Sequence, residues 1–284
     1  MTVRSTPPAT ALLATIRSVL FDMDGVLYRG AEPLPGVNEL LAFLRQQGIA
    51  YACITNNATR TPAQIAAALQ TMGIGIGAEQ ILTSALATNF TLRAAAPRGT
   101  PVYAIGMAGL TEPLFGDGYF IPEETTPRYV VVGLDLELTY TKLRTAALAI
   151  RRGATFIGTN PDRTLPMPEG LAPGAGSILA ALEAATDRKP MIIGKPERAM
   201  FEAALALLRA EAATTLMVGD RYETDILGGA GAGLKTALVL TGVSTRDEAL
   251  AAPLPPDLIV EDLPTLLRLW QAVSATDDHG AERA

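Results

Sequence analysis

The chain has 284 residues, 49% of them hydrophobic and 18% charged, and a formal net charge of −6. That is enough apolar material for more than one packed unit and too little charge for general disorder. No basic run offsets the acidic balance, which argues against nucleic acid or an anionic membrane as partner. No apolar stretch approaches the roughly 20 residues needed to span a bilayer.

Two scarcities narrow the chemistry. Cys53 is the only cysteine, so an intrachain disulfide and a cysteine-rich zinc site are excluded. Within the apolar run 49–54 it reads as a buried core thiol. His279 is the only histidine and falls in a polar tail, 276–284. A Ser–His–Asp triad, a histidine-ligated zinc and a histidine general base are therefore disfavoured. Catalysis is left to carboxylates, lysine, hydroxyls, amides and a hard metal ion. Residues 1–14 lack the apolar core of a signal peptide and read as a loose arm on a cytoplasmic protein.

In chain order, the apolar run Val19-Leu20-Phe21 predicts a buried strand that ends on Asp22-Met23-Asp24, with Gly25 as the turn leaving it. Both carboxylates then stand at the carboxyl end of a parallel strand, where open α/β sheets place their ligands. Crowded acids repel each other unless a cation or proton sits between them, the layout expected of a nucleophile assisted by Mg²⁺. Val37, Leu40, Leu41 and Leu44 keep helical spacing up to Gly48. A second strand is expected at 49–54, ending at Thr55-Asn56-Asn57. Thr61-Pro62-Ala63-Gln64 is a capping-box start, and Ile65, Leu69 and Met72 carry that helix to Gly73.

From about Ser84 a separate α/β pattern begins, with strands expected at 102–105, 129–132 and 154–157 and helices at 85–95, 142–151 and 176–185. The prolines and glycines of 161–176 read as one long functional loop. After Lys189-Pro190 the first pattern resumes: strand 191–193, helix 196–208, strand 215–218, helix 224–232, strands 236–240 and 258–260, and helix 264–273. The order predicts an α/β fold: a Rossmann-like doubly wound parallel sheet core, residues 1–83 and 190–284, interrupted by an inserted smaller α/β cap domain at 84–189.

Four segments at predicted strand ends carry chemistry. The first is Asp22-x-Asp24. In the second, the hydroxyl, amides and backbone N–H groups of Thr55-Asn56-Asn57 suit phosphoryl oxygens. Gly194-Lys195-Pro196 sets a lysine before a helix, where its charge and the helix N-terminus both favour an anion. The fourth, Gly219-Asp220-Arg221-Tyr222-Glu223-Thr224-Asp225, brackets a strand-to-helix turn with two more carboxylates. Singly, each reads as a solvated turn, a surface charge or a helix-start acid. In this order, each after an apolar run, they are expected to converge on one sheet edge. The glycine runs Gly73-x-Gly75 and Gly229-x-Gly231-x-Gly233 follow no strand, so a dinucleotide-binding loop is rejected.

These four segments, spanning 22–233, resemble the motifs of the haloacid dehalogenase (HAD) phosphohydrolase superfamily. The insertion resembles the large α/β cap of its NagD, 4-nitrophenylphosphatase and phosphoglycolate phosphatase branch. Gly133-Leu134-Asp135, Thr139-Tyr140, Gly158-Thr159-Asn160-Pro161-Asp162 and Gly174-Ala175-Gly176-Ser177 add support. The resemblance implies a Mg²⁺-dependent phosphatase of small monoesters: sugar, glycerol, glycolate or aryl phosphates. It implies Asp22 as the nucleophile that becomes an aspartyl-phosphate, and Asp24 as general acid and then base. The metal would be held by the Asp22 and Asp220 carboxylates and the Asp24 carbonyl. Thr55, Asn56, Asn57 and Lys195 would bind phosphoryl oxygens, and Asp225 would orient Lys195 or a metal-bound water. Asn160 and Asp162, opening the cap loop, are expected either to reach over the site and read the leaving alcohol or only to stabilise the turn at Pro161. Phosphoryl transfer between sugar phosphates, as in a mutase, uses the same chemistry. A non-catalytic sugar-phosphate binding protein would need loss of Asp22 or Asp24. The expected partner is a small phosphorylated metabolite, with no nucleic acid and no membrane; a homo-oligomer is left open.

Overall fold

The computed structural model describes residues 9–167 and 169–281. In chain order the elements begin α1 (Ala9–Leu13), β1 (Ser18–Phe21), β2 (Tyr28–Arg29), β3 (Glu32–Pro33), α2 (Val37–Gln46), β4 (Ala50–Thr55), α3 (Pro62–Thr71) and β5 (Ile81–Thr83). They continue as α4 (Ser84–Ala95), β6 (Pro101–Ile105), α5 (Ala108–Phe115), β7 (Ile121–Pro122), β8 (Tyr129–Val132), α6 (Tyr140–Arg151), β9 (Thr155–Gly158), β10 (Thr164–Met167) and β11 (Gly170–Pro173). The remainder are α7 (Ala175–Thr186), β12 (Met191–Ile192), α8 (Arg198–Leu208), β13 (Thr215–Gly219), α9 (Leu227–Gly231), β14 (Lys235–Val239), α10 (Arg246–Ala251), β15 (Leu258–Val260) and α11 (Leu263–Ala281). Among the described residues no helix is long and apolar enough to cross a membrane.

Two compact units form. One comprises Met1–Ile54, Ala68–Ile76 and Ala204–Ala284, the other Thr55–Ala67 and Gly77–Ala203. In the first, strands run parallel in the order β15-β14-β13-β1-β4. Val19, Leu20 and Phe21 of β1 are fully buried, as expected of a central parallel strand covered on both faces. Burying each contributes about 1.5–3 kcal/mol. Phe21 lies opposite Cys53 on one side and Val218 on the other. From β1 the chain moves outward to β4, and later from β13 through β14 to β15 in the opposite direction. The order thus reverses between β1 and β13, and open α/β sheets bind ligands beyond the carboxyl ends of strands at such a reversal.

The second unit has its own parallel sheet, ordered β12-β9-β8-β6-β7, and a core that includes Val130, Val132, Ala146, Ile150, Phe156 and Leu182. The α/β class and parallel sheets agree with the sequence reading. Four details differ. The strand at 191–193 does not rejoin the first sheet: Met191 and Ile192 pair with Ile157 and Gly158 at the edge of the second. Short apolar parallel strands read alike whichever sheet takes them, so periodicity alone misplaced it. The long loop expected at 161–176 contains an antiparallel hairpin, β10–β11, with Thr164 opposite Pro173 and Met167 opposite Gly170. Proline is tolerated in such two-stranded edge ribbons. The N-terminal arm is not wholly loose either, since α1 buries Leu12 and Leu13 and packs on α11; residues 1–8 lie outside the described ones. Finally, helix α11 continues to Ala281, through most of the expected polar tail, because nothing before Gly280 breaks it.

Candidate active site

Asp22 and Asp220 follow β1 and β13, the two strands flanking the reversal. The N–H of Asp22 donates to the Val218 carbonyl at 2.9 Å, carrying the ladder one residue past β1. Asp225 is brought back by a π-type turn over Tyr222–Ile226, closed by the Leu227 N–H to the Tyr222 carbonyl. Such wide turns are often found at functional sites. Its carboxylate accepts from the Arg221 N–H at 3.1 Å and the Thr224 hydroxyl at 3.3 Å. One carboxylate oxygen from each of Asp22, Asp220 and Asp225 lies within 4.8 Å of the others, and Asp220 and Asp225 are almost fully buried. At an effective dielectric of about 20, each pair of ionised groups at that distance repels by about 3.5 kcal/mol. A set of hard oxygen donors with no histidine or cysteine fits a divalent cation such as Mg²⁺.

The chain after β14 completes this pocket, and the sequence reading did not find it. Asp220 accepts from the Val243 N–H at 2.8 Å, and its carbonyl accepts from the Ser244 N–H at 3.0 Å. The Ser244 hydroxyl accepts the Tyr222 N–H at 2.8 Å, while Thr241 donates to the Gly25 carbonyl at 2.6 Å. Thr241-Gly242-Val243 is a fifth strand-end segment; its signal was position after an apolar run, but it carries no charge. A Cβ on Gly242 would sit 1.8 Å from Asp220 Oδ2, so any larger residue must displace that carboxylate. Gly242→Ala is expected to fold and to lose about 10- to 100-fold in metal affinity or activity. Gly231→Ala, where a Cβ meets nothing within 4 Å, is the matched control. Equal activity in the two variants, measured at saturating metal and as metal affinity, would remove the packing against Asp220 from the account.

Asp24 stands apart from the trio. Its side chain is exposed, and its backbone is bridged to Tyr28 while the Gly25 N–H donates to the Tyr28 carbonyl at 2.8 Å. Cys53 is fully buried; burial first, and the Asp22 charge second, push its thiol far above the ordinary range. It is a core thiol, as read from the sequence.

The remaining predicted residues belong to the second unit. Thr55 ends β4, and its hydroxyl accepts the Asn57 N–H at 3.1 Å. Asn57 is exposed, its Oδ1 accepting both the N–H and the hydroxyl of Thr59 at 2.8 Å. Lys195 is only 3% exposed and follows β12, a strand of the second sheet. Its carbonyl accepts from Asn56 Nδ2 at 2.9 Å. Asn56 also meets Asp162, Nδ2 to Oδ1 at 3.3 Å, and its carbonyl accepts from Asn160 Nδ2 at 2.8 Å. Asn56, Lys195, Asn160 and Asp162 therefore form one hydrogen-bonded group.

Residues 19–119 match the model of a haloacid dehalogenase-like hydrolase, and residues 192–266 match a second, HAD-hydrolase-like model. An acid sugar phosphatase of Staphylococcus saprophyticus is 38% identical over 252 residues, covering 89% of this chain and 97% of the relative. The crystal structure of 4-nitrophenylphosphatase from Thermotoga maritima is similar with a TM-score of 0.85 at 32% identity, covering 90% of this chain and 98% of that one. A glycerol phosphate phosphatase from Mycobacterium tuberculosis, solved in complex with magnesium, gives a TM-score of 0.83 at 35% identity and covers 90% and 77%. The chain belongs to the haloacid dehalogenase-like hydrolase family. Within it, the chain is a phosphatase of the branch that its sequence resembles.

Proposed function

We propose that the chain is a Mg²⁺-dependent, cytoplasmic phosphatase that hydrolyses small phosphate monoesters, sugar and glycerol phosphates among them, through an aspartyl-phosphate on Asp22. The observation carrying this is the trio of Asp22, Asp220 and Asp225 at the sheet reversal. Three acids held that close favour a cation between them, and the half-buried Asp22 stands first among them on the chain. The activities named for the relatives, acid sugar phosphatase and glycerol phosphate phosphatase, support the substrate class.

In the first step an Asp22 oxygen attacks phosphorus, the bond from phosphorus to the alcohol oxygen breaks, and Asp24 gives that oxygen its proton. In the second, Asp24 takes a proton from water as the water oxygen attacks phosphorus. The bond to Asp22 then breaks, releasing inorganic phosphate and restoring the carboxylate. Thr55, Asn56, Asn57 and Lys195 hold phosphoryl oxygens, and Asp225 orients groups around them. The Asp22 and Asp220 carboxylates and the Asp24 carbonyl would hold Mg²⁺, which when bound would offset the charge of nucleophile and phosphate. The core recognises only what every phosphate ester presents, so residues 84–189 are proposed as the cap that selects the alcohol. The partner is then a small phosphorylated metabolite, not nucleic acid or membrane.

The test is inorganic phosphate release from 4-nitrophenyl phosphate and a panel of sugar, glycerol and glycolate phosphates, ranked by kcat/KM. Release from several monoesters is expected. Conversion of one sugar phosphate to its isomer without free phosphate would instead identify a mutase, and binding without any turnover a sensor.

A further inference from the structure

Asn56 is held from four directions. Its carbonyl accepts the Ser84 hydroxyl and Asn160 Nδ2, both at 2.8 Å. Its own Nδ2 donates to the Lys195 carbonyl at 2.9 Å and to Asp162 Oδ1 at 3.3 Å. Two of these partners, Asn160 and Asp162, come from the loop after β9, the segment that sequence reasoning assigned to reading the alcohol. Asn160 is 4% exposed, and its polar atoms are already engaged. Nδ2 also lies 3.3 Å from the Thr159 hydroxyl, and Oδ1 accepts the Asp162 N–H at 3.2 Å. With both amide hydrogens taken, it has no donor left for a substrate. The loop is fixed from behind as well. The Gly176 N–H donates to the Asp162 carbonyl at 2.8 Å, and the Gly194 N–H to the Thr159 carbonyl at 2.8 Å. Gly194 passes so near that a Cβ on it would lie 2.6 Å from Asn56 Oδ1 and 2.5 Å from the Thr159 carbonyl oxygen.

We infer that Asn160 and Asp162 are positioning residues that act through Asn56, locking its backbone and amide together with the Lys195 backbone, and that they do not discriminate between alcohols. This deepens the proposed function and rests on its assignment of Asn56 and Lys195 to the phosphoryl group. A phosphoryl-holding segment set by the cap loop serves every ester alike. Loosening it therefore weakens all esters, and inorganic phosphate with them, by one common factor.

The experiment measures kcat/KM over the ester panel and the inhibition constant of inorganic phosphate for wild type, Asn160→Ala, Asp162→Ala, Asp162→Asn and Ser84→Ala, with Tm for each. Asn160→Ala and Asp162→Ala are expected to lower kcat/KM about tenfold on every ester and to raise the phosphate constant by a similar factor, the scale of one lost buried hydrogen bond. The order of substrates should stay unchanged. Asp162→Asn keeps an acceptor towards Asn56 Nδ2 and should recover most of the loss. Ser84→Ala combined with Asn160→Ala should be non-additive, since both bonds end on one carbonyl. A changed order of esters overturns the inference, because the residues would then read the alcohol. A lower Tm with the phosphate constant unmoved, or no change at all, overturns it too. Should Asn160→Ala fail to fold, the half-buried Asp162 pair of variants decides alone. Wild-type turnover on the same panel scores the proposed function separately, so the two can fail independently.

Discussion

Asp22→Asn is expected to lower kcat by about 10⁴-fold or more while raising, not lowering, the melting temperature of the metal-free protein. The amide has the shape of the carboxylate and can keep its place beyond β1, where the backbone bond to Val218 does not involve the side chain. It cannot take up a phosphoryl group to give an acyl-phosphate. It also removes one of three acids whose oxygens lie within 4.8 Å, relieving part of their mutual repulsion. Loss of activity with gain of stability is a signature that a purely structural aspartate would not give. Hydrolysis of 4-nitrophenyl phosphate near the wild-type rate in this variant would remove Asp22 from the mechanism.

Chelation is the second large effect. EDTA should bring activity to about 1% or less, and Mg²⁺ should restore it, since the ion offsets both the acidic trio and the incoming phosphate. Ca²⁺, with looser and longer coordination, should restore it poorly. An ion that binds the folded acidic cluster and not the unfolded chain should stabilise the folded state by about 2.7 kcal/mol at a hundredfold excess over its Kd. Thermal melts with and without Mg²⁺ read this independently of turnover. Full activity in a metal-free preparation, with no shift in Tm on adding Mg²⁺, contradicts both the metal and the assignment of the trio.

What the sequence made legible were charged groups at the ends of apolar runs. Asp22 and Asp220 are of this kind, and a parallel sheet must place them on one edge. Asp225 was legible as an acid at a helix start, but its return into the trio depends on a π-type turn that no residue pattern announces. Gly242 and Val243 were invisible because they act by the absence of a Cβ and by a backbone N–H group. Met191 and Ile192 were recognised as a strand and given to the wrong sheet, since apolarity encodes burial and not which neighbour covers it. The hairpin β10–β11 was hidden by Pro166 and Pro173, which mark an edge as readily as a loop. Asn160 and Asp162 were legible as polar residues following a strand. Their partner, Asn56, lies over a hundred positions away and could not be read from spacing.

Cys53 offers a way to time the core's own movements. It is the only thiol in the chain, it is completely enclosed on β4 opposite Phe21, and burial together with the Asp22 charge keeps it protonated. A disulfide-forming dye needs the thiolate and physical access, and both arise only when β4 parts from its neighbours. The labelling rate therefore counts openings of the strand next to the one that leads into Asp22, a local unfolding clock with no engineered label. Ions or esters that hold the acidic end of the sheet closed should slow that clock, letting ligand affinity be read from a thiol that touches neither.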